Sequence, residues 1–524
     1  MMMRSVLHDI TRRIQYGRSP SLGAGSVLSG HIASGGEAVR HPAWPKLGSR
    51  EVPLILDLDG TLLRTDVLYE KALALVRADP LNVLRMLYWA MSGRAHLKRR
   101  MAQAVTLDIE ALPENPELVA FAEAEAKGGR PIHMSTATDN VTASQIARRF
   151  PFISSVIASD GQTNLKGAAK AAELARRFPL GFDYAGDSRA DLPVWHAARQ
   201  AIVVGASPGV ERAAGRAADV AGVFRRPPYG RLLLKSMRSH QWAKNALVLV
   251  PAVLANRFLD PSALGSLAIS FVALCLIASA TYILNDIWDV ADDRRHWSKK
   301  NRPLASGQFP IVYGLAAVPA GLGAGFLLGA LAGPKVVLTL AAYTGLTLAY
   351  SFYLKRVVLL DALTLASLFT IRLAVGTAAV EAIASPWLFV FSMFLFTSLA
   401  LAKRHTEIAR ATARGAAQIN GRGYVAVDLP LVLAAGVAAG TSALLILVFY
   451  VIDDAFKQTF YGDVAWLWGF PLALSIILGR IWVACQRGTL QDDPVVFALT
   501  DRLALTAGSA LAMCFVLAWA GFSV

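Results

Sequence analysis

The sequence predicts a multi-domain chain in which an α/β domain with a helical cap precedes an all-α membrane bundle of nine transmembrane helices. Short apolar runs alternate with helical segments over residues 51–225, which indicates an α/β domain. Apolar segments long enough to cross a bilayer then follow over residues 241–524. With 55% hydrophobic and 17% charged residues and a mean hydropathy of +0.44, the 524-residue chain is too apolar to be wholly soluble.

Four apolar runs of the first domain are predicted to be buried strands, because each is followed by turn residues and then by a helical segment. They are Val52–Leu56, Ile132–Met134, Phe182–Ala185 and Ala201–Val204. This alternation predicts a parallel sheet with right-handed crossovers. Residues 66–115 lack a strand pattern and contain many helix-forming residues, so they are predicted to form a cap inserted after the first strand.

Nine segments of the second domain are apolar over enough residues to span about 30 Å of hydrocarbon at about 1.5 Å per residue. They cover residues 241–257, 263–284, 311–332, 335–353, 359–380, 385–402, 429–451, 464–484 and 502–522. Basic residues gather in the loops after every second span, and the positive-inside rule places those loops in the cytoplasm. We therefore expect a multi-pass protein of the inner (cytoplasmic) membrane whose α/β domain is cytoplasmic.

The remaining segments are polar. Residues 1–50 are rich in Ser, Gly and Arg, lack the apolar core of a secretory signal, and are predicted to be a disordered arm. Residues 226–240 are predicted to be a basic linker between the domains. The formal net charge of +15 fits cytoplasmic loops that face anionic headgroups and phosphates better than it fits nucleic acid, which we exclude as a partner. Cys275, Cys485 and Cys514 have the spacing of neither a disulfide framework nor a zinc site.

A first group of reactive residues follows the strands of the α/β domain. Asp57 and Asp59 come directly after the first strand, where open parallel sheets place their ligands. Phosphoryl transfer to a carboxylate needs a nucleophile, a proton donor, groups that hold the phosphate and acidic ligands for Mg²⁺. Thr136, Lys166 and Asp187 supply the later members of that set in order along the chain.

This series resembles the haloacid dehalogenase (HAD) superfamily, whose domains have a Rossmann-like α/β fold, and the resemblance covers residues 51–225. It implies that Asp57 attacks phosphorus and that Asp59 is the general acid and base. It also implies that Thr136 and Lys166 steady the phosphate. Mg²⁺ would be held by Asp57, Asp187 and the main-chain carbonyl of Asp59, while Asp191 would support the lysine or the metal.

A second group of acids ends the second predicted span. Asn285, Asp286, Asp289 and Asp293 share one face of a helix through their i, i+3, i+4 and i+7 spacing, whereas Asp292 points elsewhere. Like charges stacked beside lipid are unfavourable without a cation, and oxygen ligands of this kind suit Mg²⁺ shared with a diphosphate. Lys299 and Arg302, just downstream, are predicted to clamp anionic oxygens.

These residues resemble the first motif, NDxxDxxxD, of the UbiA superfamily of intramembrane prenyltransferases, and the likeness extends over residues 232–524. The second motif is represented by Tyr350, Lys355 and Asp361. Many members have paired aspartates there, and this chain has Asp361 alone, which puts a standard second metal site in doubt. The resemblance implies that Asp286, Asp289, Asp293 and Asp361 hold Mg²⁺.

Within that superfamily, segments such as Met237–Asn245 and Lys403–Glu407 resemble those of decaprenyl-phosphate phosphoribosyltransferases. That resemblance implies a polyprenyl phosphate as nucleophile and 5-phosphoribosyl 1-diphosphate (PRPP) as electrophile. Lys244, Lys355 and Arg372 are expected to bind phosphate, and Tyr350 to line the pocket. A two-step hypothesis follows, in which the membrane domain makes polyprenyl-phosphoryl 5-phosphoribose and the HAD-like domain removes its 5-phosphate.

Three alternatives stay open at this point, as does the question whether the chain forms a homo-oligomer. The first is an aromatic prenyltransferase that joins a polyprenyl diphosphate to a hydroxybenzoate-like acceptor. The second is a P-type ion pump, but there the phosphorylated aspartate is followed by Lys, and here Leu58 follows Asp57. The third is a non-catalytic membrane scaffold, for which loss of the aspartate stripe would leave function unchanged.

Overall fold

The computed structural model describes residues 44–296, 298–415, 422–458, 460–490 and 493–522. In the α/β domain, six strands form one parallel sheet in the order β3-β2-β1-β4-β5-β6. The strands are β1 (Leu54–Leu56), β2 (Ile132–Asp139), β3 (Ser155–Ser159), β4 (Asp183–Gly186), β5 (Gln200–Val204) and β6 (Asp219–Phe224). This is the strand order of doubly wound nucleotide-binding folds, so the predicted parallel sheet is confirmed.

The four predicted strands correspond to β1, β2, β4 and β5, which occupy the middle of the sheet and are almost wholly buried. Sequence patterns missed the edge strands β3 and β6, because an edge strand has a solvent-exposed side and needs no continuous apolar run. β1 lies between β2 and β4, with Leu56 beside Met134 and Ala185. The segment after β1 is therefore flanked by the ends of both neighbouring strands.

Helices cover the sheet and form the predicted cap. They are α1 (Val67–Ala78), α2 (Asn82–Met91), α3 (Arg94–Ala104), α4 (Pro116–Lys127), α5 (Asn140–Ala147), α6 (Ala168–Arg177), α7 (Leu192–Ala197) and α8 (Pro208–Ala217). The cap consists of α1, α2 and α3, which agrees with the helical character predicted for residues 66–115. The side chain of Asp66 caps α1 by accepting a hydrogen bond from the amide of Leu68, which defines where the cap begins.

Two boundaries differ from the prediction. Residues 1–43 of the predicted arm lie outside the described residues, but residues 45–50 pack on the α/β domain, where the carbonyl of Gly48 accepts a hydrogen bond from Arg130 at 3.0 Å. The predicted linker contains a helix, α9 (Tyr229–Ser236), whose Leu232 is buried against the membrane bundle. The linker is therefore a packed connection, because α9 has an apolar side to bury.

The prediction that residues 241–257 form a regular membrane-spanning α-helix is wrong. Residues Ser239–Leu249 wind as a 3₁₀ helix and are followed by the short α10 (Val250–Leu254). Three polar side chains hold this segment to different partners: Trp242 donates to Ser279, Lys244 to Asp493, and Asn245 to the sulfur of Cys275. We attribute the tighter winding to these fixed points.

Eight helices of the described residues are long and apolar enough to cross a membrane, so the chain is a multi-pass membrane protein. The elements of this part are α11 (Pro261–Trp288), α12 (Val290–Arg295), α13 (Ile311–Ala332), α14 (Pro334–Phe352), α15 (Leu360–Ala379), α16 (Pro386–Ala413), α17 (Leu429–Asp453), α18 (Gly469–Gln486), α19 (Pro494–Ala498) and α20 (Arg502–Ala520). All of them except α12 and α19 count among the eight. The second to ninth predicted spans are thus confirmed as helices.

Two of these helices, α11 and α13, approach each other closely along small residues. A Cβ built on Gly325 would lie 2.5 Å from Ile277 and 3.0 Å from the carbonyl oxygen of Ala273, so only glycine fits there. Close backbone approach over small residues is how membrane helices associate, since lipid supplies no hydrophobic drive between them. This contact holds α11, which carries the second group of acids at its end, against its neighbour.

Two candidate active sites

The loop after β1 brings Asp57 and Asp59 into one site. Gly60 follows with a φ of 77°, a left-handed conformation that favours glycine, and a Cβ there would meet an oxygen of Asp187 at 2.3 Å. Asp59 is oriented by two hydrogen bonds, from the amide of Val67 at 2.8 Å and from the hydroxyl of Thr138 at 2.7 Å. The cap helix α1 therefore helps to position the predicted general acid.

A buried lysine on α6 pairs with the predicted nucleophile. Lys170 Nζ lies 2.7 Å from Asp57 Oδ1, and it also donates to the hydroxyl of Tyr184 at 2.9 Å. Tyr184 in turn donates to Asp191 at 2.8 Å. Asp191 accepts hydrogen bonds from the amide and hydroxyl of Ser188 as well, so it holds the turn that carries Asp187.

Three carboxylates of this site converge. Oxygen atoms of Asp57, Asp187 and Asp191 all lie within 4.8 Å of one another, and in the described part of the chain no other trio of potential metal ligands meets this criterion. Burial and the nearby charges of Asp57 and Asp191 raise the pKa of Asp187 well above its usual range. A divalent cation would relieve that repulsion, and oxygen ligands are those that Mg²⁺ prefers, so this donor set fits the ion.

The pKa values of the two leading aspartates are both raised. Burial raises the pKa of Asp57 to about 7 although Lys170 opposes the shift, and burial raises that of Asp59 to about 6, together with the charge of Asp66. Burial alone would lower the pKa of Lys170, but the charges of Asp57 and Asp191 raise it overall, so the lysine stays charged. Asp59 can therefore hold a proton near neutral pH, as a general acid must.

For two of the predicted phosphate-binding residues, a residue nearby in the sequence lies closer to the aspartates. Thr136 is buried and lies 3.4 Å from Asp59, whereas Thr138, two residues on, makes the shorter contact and faces the cavity above the aspartates. Lys166 is exposed at the cavity wall, and Lys170, one helical turn later, is the lysine that contacts Asp57. The four-residue spacing between the lysines is the only sequence signal that points to Lys170.

The cavity above Asp57 and Asp59 has a volume of about 900 Å³ and is bounded by both domains. One wall contains Lys166 and Lys170 of the α/β domain. The opposite wall contains Ile311, Val312 and Tyr313, the first turn of the membrane helix α13. The site thus opens toward the end of a membrane span.

The second group of acids surrounds the break between α11 and α12. α11 ends at Trp288, Asp289 caps it, and α12 continues the chain, with the amide of Asp293 donating to the carbonyl of Asp289 at 2.8 Å. Arg302 bridges the two buried acids, because its Nη1 lies 3.0 Å from Asp286 and 2.6 Å from Asp293. Asp286 and Asp293 therefore face the same side chain, whereas the single helix predicted to carry all four residues is interrupted at Asp289.

The other acids of this stripe also face cations. Asp289 receives Lys355 Nζ at 2.7 and 2.8 Å, and Lys299 lies 3.8 Å from Asp293. Asn285 is half-buried on the turn before Asp289. These carboxylates are thus each beside a basic side chain rather than gathered around one point, although they are oxygen donors of the type that Mg²⁺ and a diphosphate share.

The predicted second metal residue, Asp361, is fully buried and already has three partners. Its Oδ2 accepts hydrogen bonds from Arg404 at 2.6 Å and Arg422 at 3.0 Å, and its Oδ1 accepts one from Tyr424 at 2.6 Å. Arg422 also donates to the hydroxyl of Tyr350 at 3.3 Å. This arrangement assigns Asp361 to positioning two arginines, in line with the doubt raised by the missing paired aspartate.

Two predicted phosphate-binding residues lie away from the acid stripe. Lys244 pairs with Asp493 at 2.8 Å. Arg372 is buried, donates to Asn245, to the hydroxyl of Tyr343 and to the carbonyl of Leu368, and so has its hydrogen bonds satisfied by neutral groups. The structure brings neither residue to Asp286, Asp289 or Asp293.

Sequence reasoning missed Arg238. This residue has a left-handed φ of 52°, its guanidinium bonds to the carboxylate of Asp286, and it lies 5.1 Å from the ring centre of Tyr282. Strained backbone that tertiary contacts maintain is frequent at functional sites. The only signal in the sequence was its place in a segment that resembled the transferases.

The short helix α12 also joins the two domains. Its stripe side carries Asp293, and its other side carries residues that pair with the cap and the loop after it. The pairs are Arg77 with Asp292 at 2.5 Å, Glu70 with Arg294 at 2.6 Å, and Asp108 with Arg295 at 2.6 Å. The prediction that Asp292 points away from the stripe is confirmed, and both sites lie at the same end of the bundle.

The chain is similar to several known proteins. The family model described as "UbiA prenyltransferase family" matches residues 246–500. The uncharacterized protein y4nM of Sinorhizobium fredii is 38% identical over 472 residues, which cover 90% of this chain and 91% of that protein, so its match extends over both domains. The decaprenyl-phosphate phosphoribosyltransferase of Mycobacterium tuberculosis is 30% identical over 279 residues, 52% of this chain and 88% of that enzyme. A solved structure of digeranylgeranylglyceryl phosphate synthase covers 56% of this chain with 12% identity and a TM-score of 0.42.

Proposed function

This chain belongs to the UbiA prenyltransferase family and is a membrane enzyme for a polyprenyl substrate, and from that premise we propose a bifunctional enzyme. Its membrane domain transfers 5-phosphoribosyl from PRPP to a polyprenyl phosphate. Its HAD-like domain then removes the 5-phosphate of the lipid product. The observation that carries the proposal is the cavity above Asp57, because its far wall is the start of a membrane helix.

The transfer step takes place at the acid stripe. A phosphate oxygen of the polyprenyl phosphate attacks C1 of the phosphoribosyl group, the C1–O bond to diphosphate breaks, and diphosphate leaves with the electron pair. Arg302, Lys299 and Lys355 stabilise the charge that develops on the leaving group. Asp286, Asp289 and Asp293 are the residues that would hold Mg²⁺ when the diphosphate draws these cations away from them. When bound, the ion polarises and neutralises the diphosphate.

The phosphatase step takes place at Asp57. This carboxylate attacks phosphorus, the bond to the ribose oxygen breaks, and Asp59 gives its proton to that oxygen. Water then attacks the aspartyl phosphate, with Asp59 as the base, and releases inorganic phosphate. Lys170 and Thr138, which contact Asp57 and Asp59, would bind the phosphate oxygens, and Asp57 and Asp187 are the residues whose carboxylates would hold Mg²⁺ there.

Coupling the two steps favours product formation, because the second step is a hydrolysis. The position of the α/β domain supports this coupling, since three ion pairs hold it to α12 beside the stripe. One of them, between Glu70 and Arg294, is almost fully buried. Breaking such a pair costs about 3–5 kcal/mol, so the domain is expected to stay docked.

Mass spectrometry of the lipid product tests the proposal. Purified protein in liposomes receives polyprenyl phosphate, PRPP and Mg²⁺, and the expected lipid product carries ribose without a 5-phosphate. The Asp57→Asn variant should accumulate the 5-phosphorylated lipid instead. If the protein does not use PRPP but consumes a polyprenyl diphosphate and an aromatic acid, the proposal is overturned in favour of an aromatic prenyltransferase.

A further inference from the structure

The cap helix α2 presents an apolar face that no other part of the described chain covers. Leu84, Leu87, Tyr88 and Met91 are between 61% and 78% exposed. Their spacing of i, i+3, i+4 and i+7 places all four on one side of the helix. Four large apolar side chains on one short helix form a patch rather than the scattered exposure that is normal on protein surfaces.

Both ends of α2 lie near the ends of membrane spans. Before α2, Arg77 at the end of α1 pairs with Asp292, just beyond the end of span α11. At the other end of α2, Ala90 lines the cavity whose opposite wall is the first turn of α13. Val312 and Tyr313 of that turn are 39% and 48% exposed and line the same cavity as Ala90, so the end of α2 borders the cavity that the start of this span also borders.

The charge of this hairpin favours a lipid surface. Residues 82–104, which form α2 and α3, contain five Lys or Arg residues and no Asp or Glu. Lys98 donates a hydrogen bond to Asn164 and Arg99 pairs with Asp139, both within the α/β domain. Arg94 and Arg100 are exposed. An apolar helix face in a basic segment that lacks acids is typical of helices that lie in the interface of an anionic bilayer.

We propose that α2 lies in the headgroup region of the leaflet on the side of the α/β domain, with Leu84, Leu87, Tyr88 and Met91 in contact with anionic lipid. The helix then lies between the bilayer and the cavity above Asp57. A phosphate ester that is anchored in the membrane passes along α2 to Asp57 without leaving the lipid surface. The placement of α2 stands by itself, whereas this role in substrate entry rests on the proposed phosphatase function.

Spin labelling in nanodiscs that hold one chain and contain phosphatidylglycerol tests the placement. A nitroxide is attached to Leu87→Cys in a chain that also carries Cys514→Ser, and to Leu180→Cys as the matched control. Leu180 is 92% exposed and lies between α6 and β4, away from the cap. We expect the label at position 87 to be more accessible to oxygen than to a water-soluble nickel complex, and the label at 180 to show the reverse.

A label at position 87 that is as accessible to the nickel complex as the label at 180 would overturn the placement. Because each disc holds one chain, protection by a second copy or another protein is excluded from a positive result. This readout needs no enzymatic turnover, so it gives an answer even if the proposed function fails.

Substrate entry is tested with the variant Leu84→Gln/Leu87→Gln/Met91→Gln. We expect about tenfold slower hydrolysis of the phosphorylated ribosyl lipid that the Asp57→Asn variant accumulates. Hydrolysis of the soluble ester para-nitrophenyl phosphate should stay within about twofold, which also shows that the domain is folded. Equal loss on both esters, or loss on neither, would contradict the role in substrate entry.

Discussion

The two acid sites of this molecule place their carboxylates differently. In the α/β domain, three carboxylates converge within 4.8 Å, and two of them, Asp57 and Asp191, pair with one buried lysine, Lys170. At the membrane mouth, the acids Asp286, Asp289 and Asp293 each face a basic side chain, and Arg302 bridges two of them. The first arrangement has oxygen donors of the kind that suit a metal ion, whereas in the second the acids are balanced by neighbouring cations.

This difference follows from the environment of each site. At the carboxyl end of the central strands, like charges lie together beside a cavity through which an ion can reach them. At the end of a membrane span an unpaired charge is costly, so each acid has its own counter-ion. We therefore expect the two sites to respond differently to the loss of single charges.

Loss of Asp57, the proposed nucleophile, has the largest expected effect. Asp57→Asn should lower phosphate release by about 10³-fold or more, since the amide cannot form the aspartyl phosphate. Lipid-linked phosphoribose should still form at the membrane site. Phosphate release and lipid mass spectra measure the two steps separately, and parallel loss of both would show that the sites are not independent.

Loss of one acid in the stripe is expected to be nearly as severe for the other step. Asp286→Asn should reduce diphosphate release by about 10²–10³-fold, because it removes a ligand for the leaving group's metal and a partner of Arg302. Hydrolysis of para-nitrophenyl phosphate should be unaffected. Asp292→Asn is the matched control, since Asp292 lies on α12 but pairs with Arg77. Similar losses in both variants would argue against a role of the stripe in chemistry.

Variants of Lys170 and Lys166 test whether the structure or the sequence prediction identifies the lysine that acts with Asp57. Lys170→Met should lower phosphate release by about 10²-fold, because Lys170 contacts Asp57 directly. Lys166→Met should lower it by less than about threefold, since Lys166 is exposed at the cavity wall. Phosphate release at saturating substrate measures both, and the opposite order would restore the sequence-based choice.

The smallest expected effect is a pH dependence of Mg²⁺ binding to the α/β site. Burial raises the pKa of Asp57 to about 7, so its carboxyl holds a proton below that pH when no metal is bound. Because Mg²⁺ must displace this proton and any proton on Asp187, whose pKa is also raised, affinity should fall by at least about tenfold for each pH unit below about 7. Calorimetric titration measures this, and Asp57→Asn should make the slope shallower. An affinity that does not change with pH would show that Asp57 is ionised throughout.

Much of the fold was predictable, because its signals are local. The middle strands and the long apolar helices follow from runs and periodicities within about twenty residues. The edge strands β3 and β6 were not predictable in this way, and neither was the 3₁₀ winding of residues 239–249, which depends on partners such as Ser279 and Asp493.

The acids of both sites were also predictable from the sequence, but their basic partners were predictable only in part. Lys355 and Arg302 were expected near phosphate and do lie beside the stripe. Lys244 and Arg372 were expected there and pair elsewhere, whereas Arg238 was missed. A long flexible side chain reaches several places, so its position along the chain does not determine its partner.

The sequence by itself thus determined the class of the protein, the order of its domains and the acids that can carry its chemistry, because each of these depends on residues close together in the chain. Only the tertiary structure decided that Lys170 serves Asp57, a contact across 113 residues, and that the start of α13 forms a wall of the cavity. Such contacts depend on how whole elements pack, and packing joins residues whose separation in sequence leaves no local pattern.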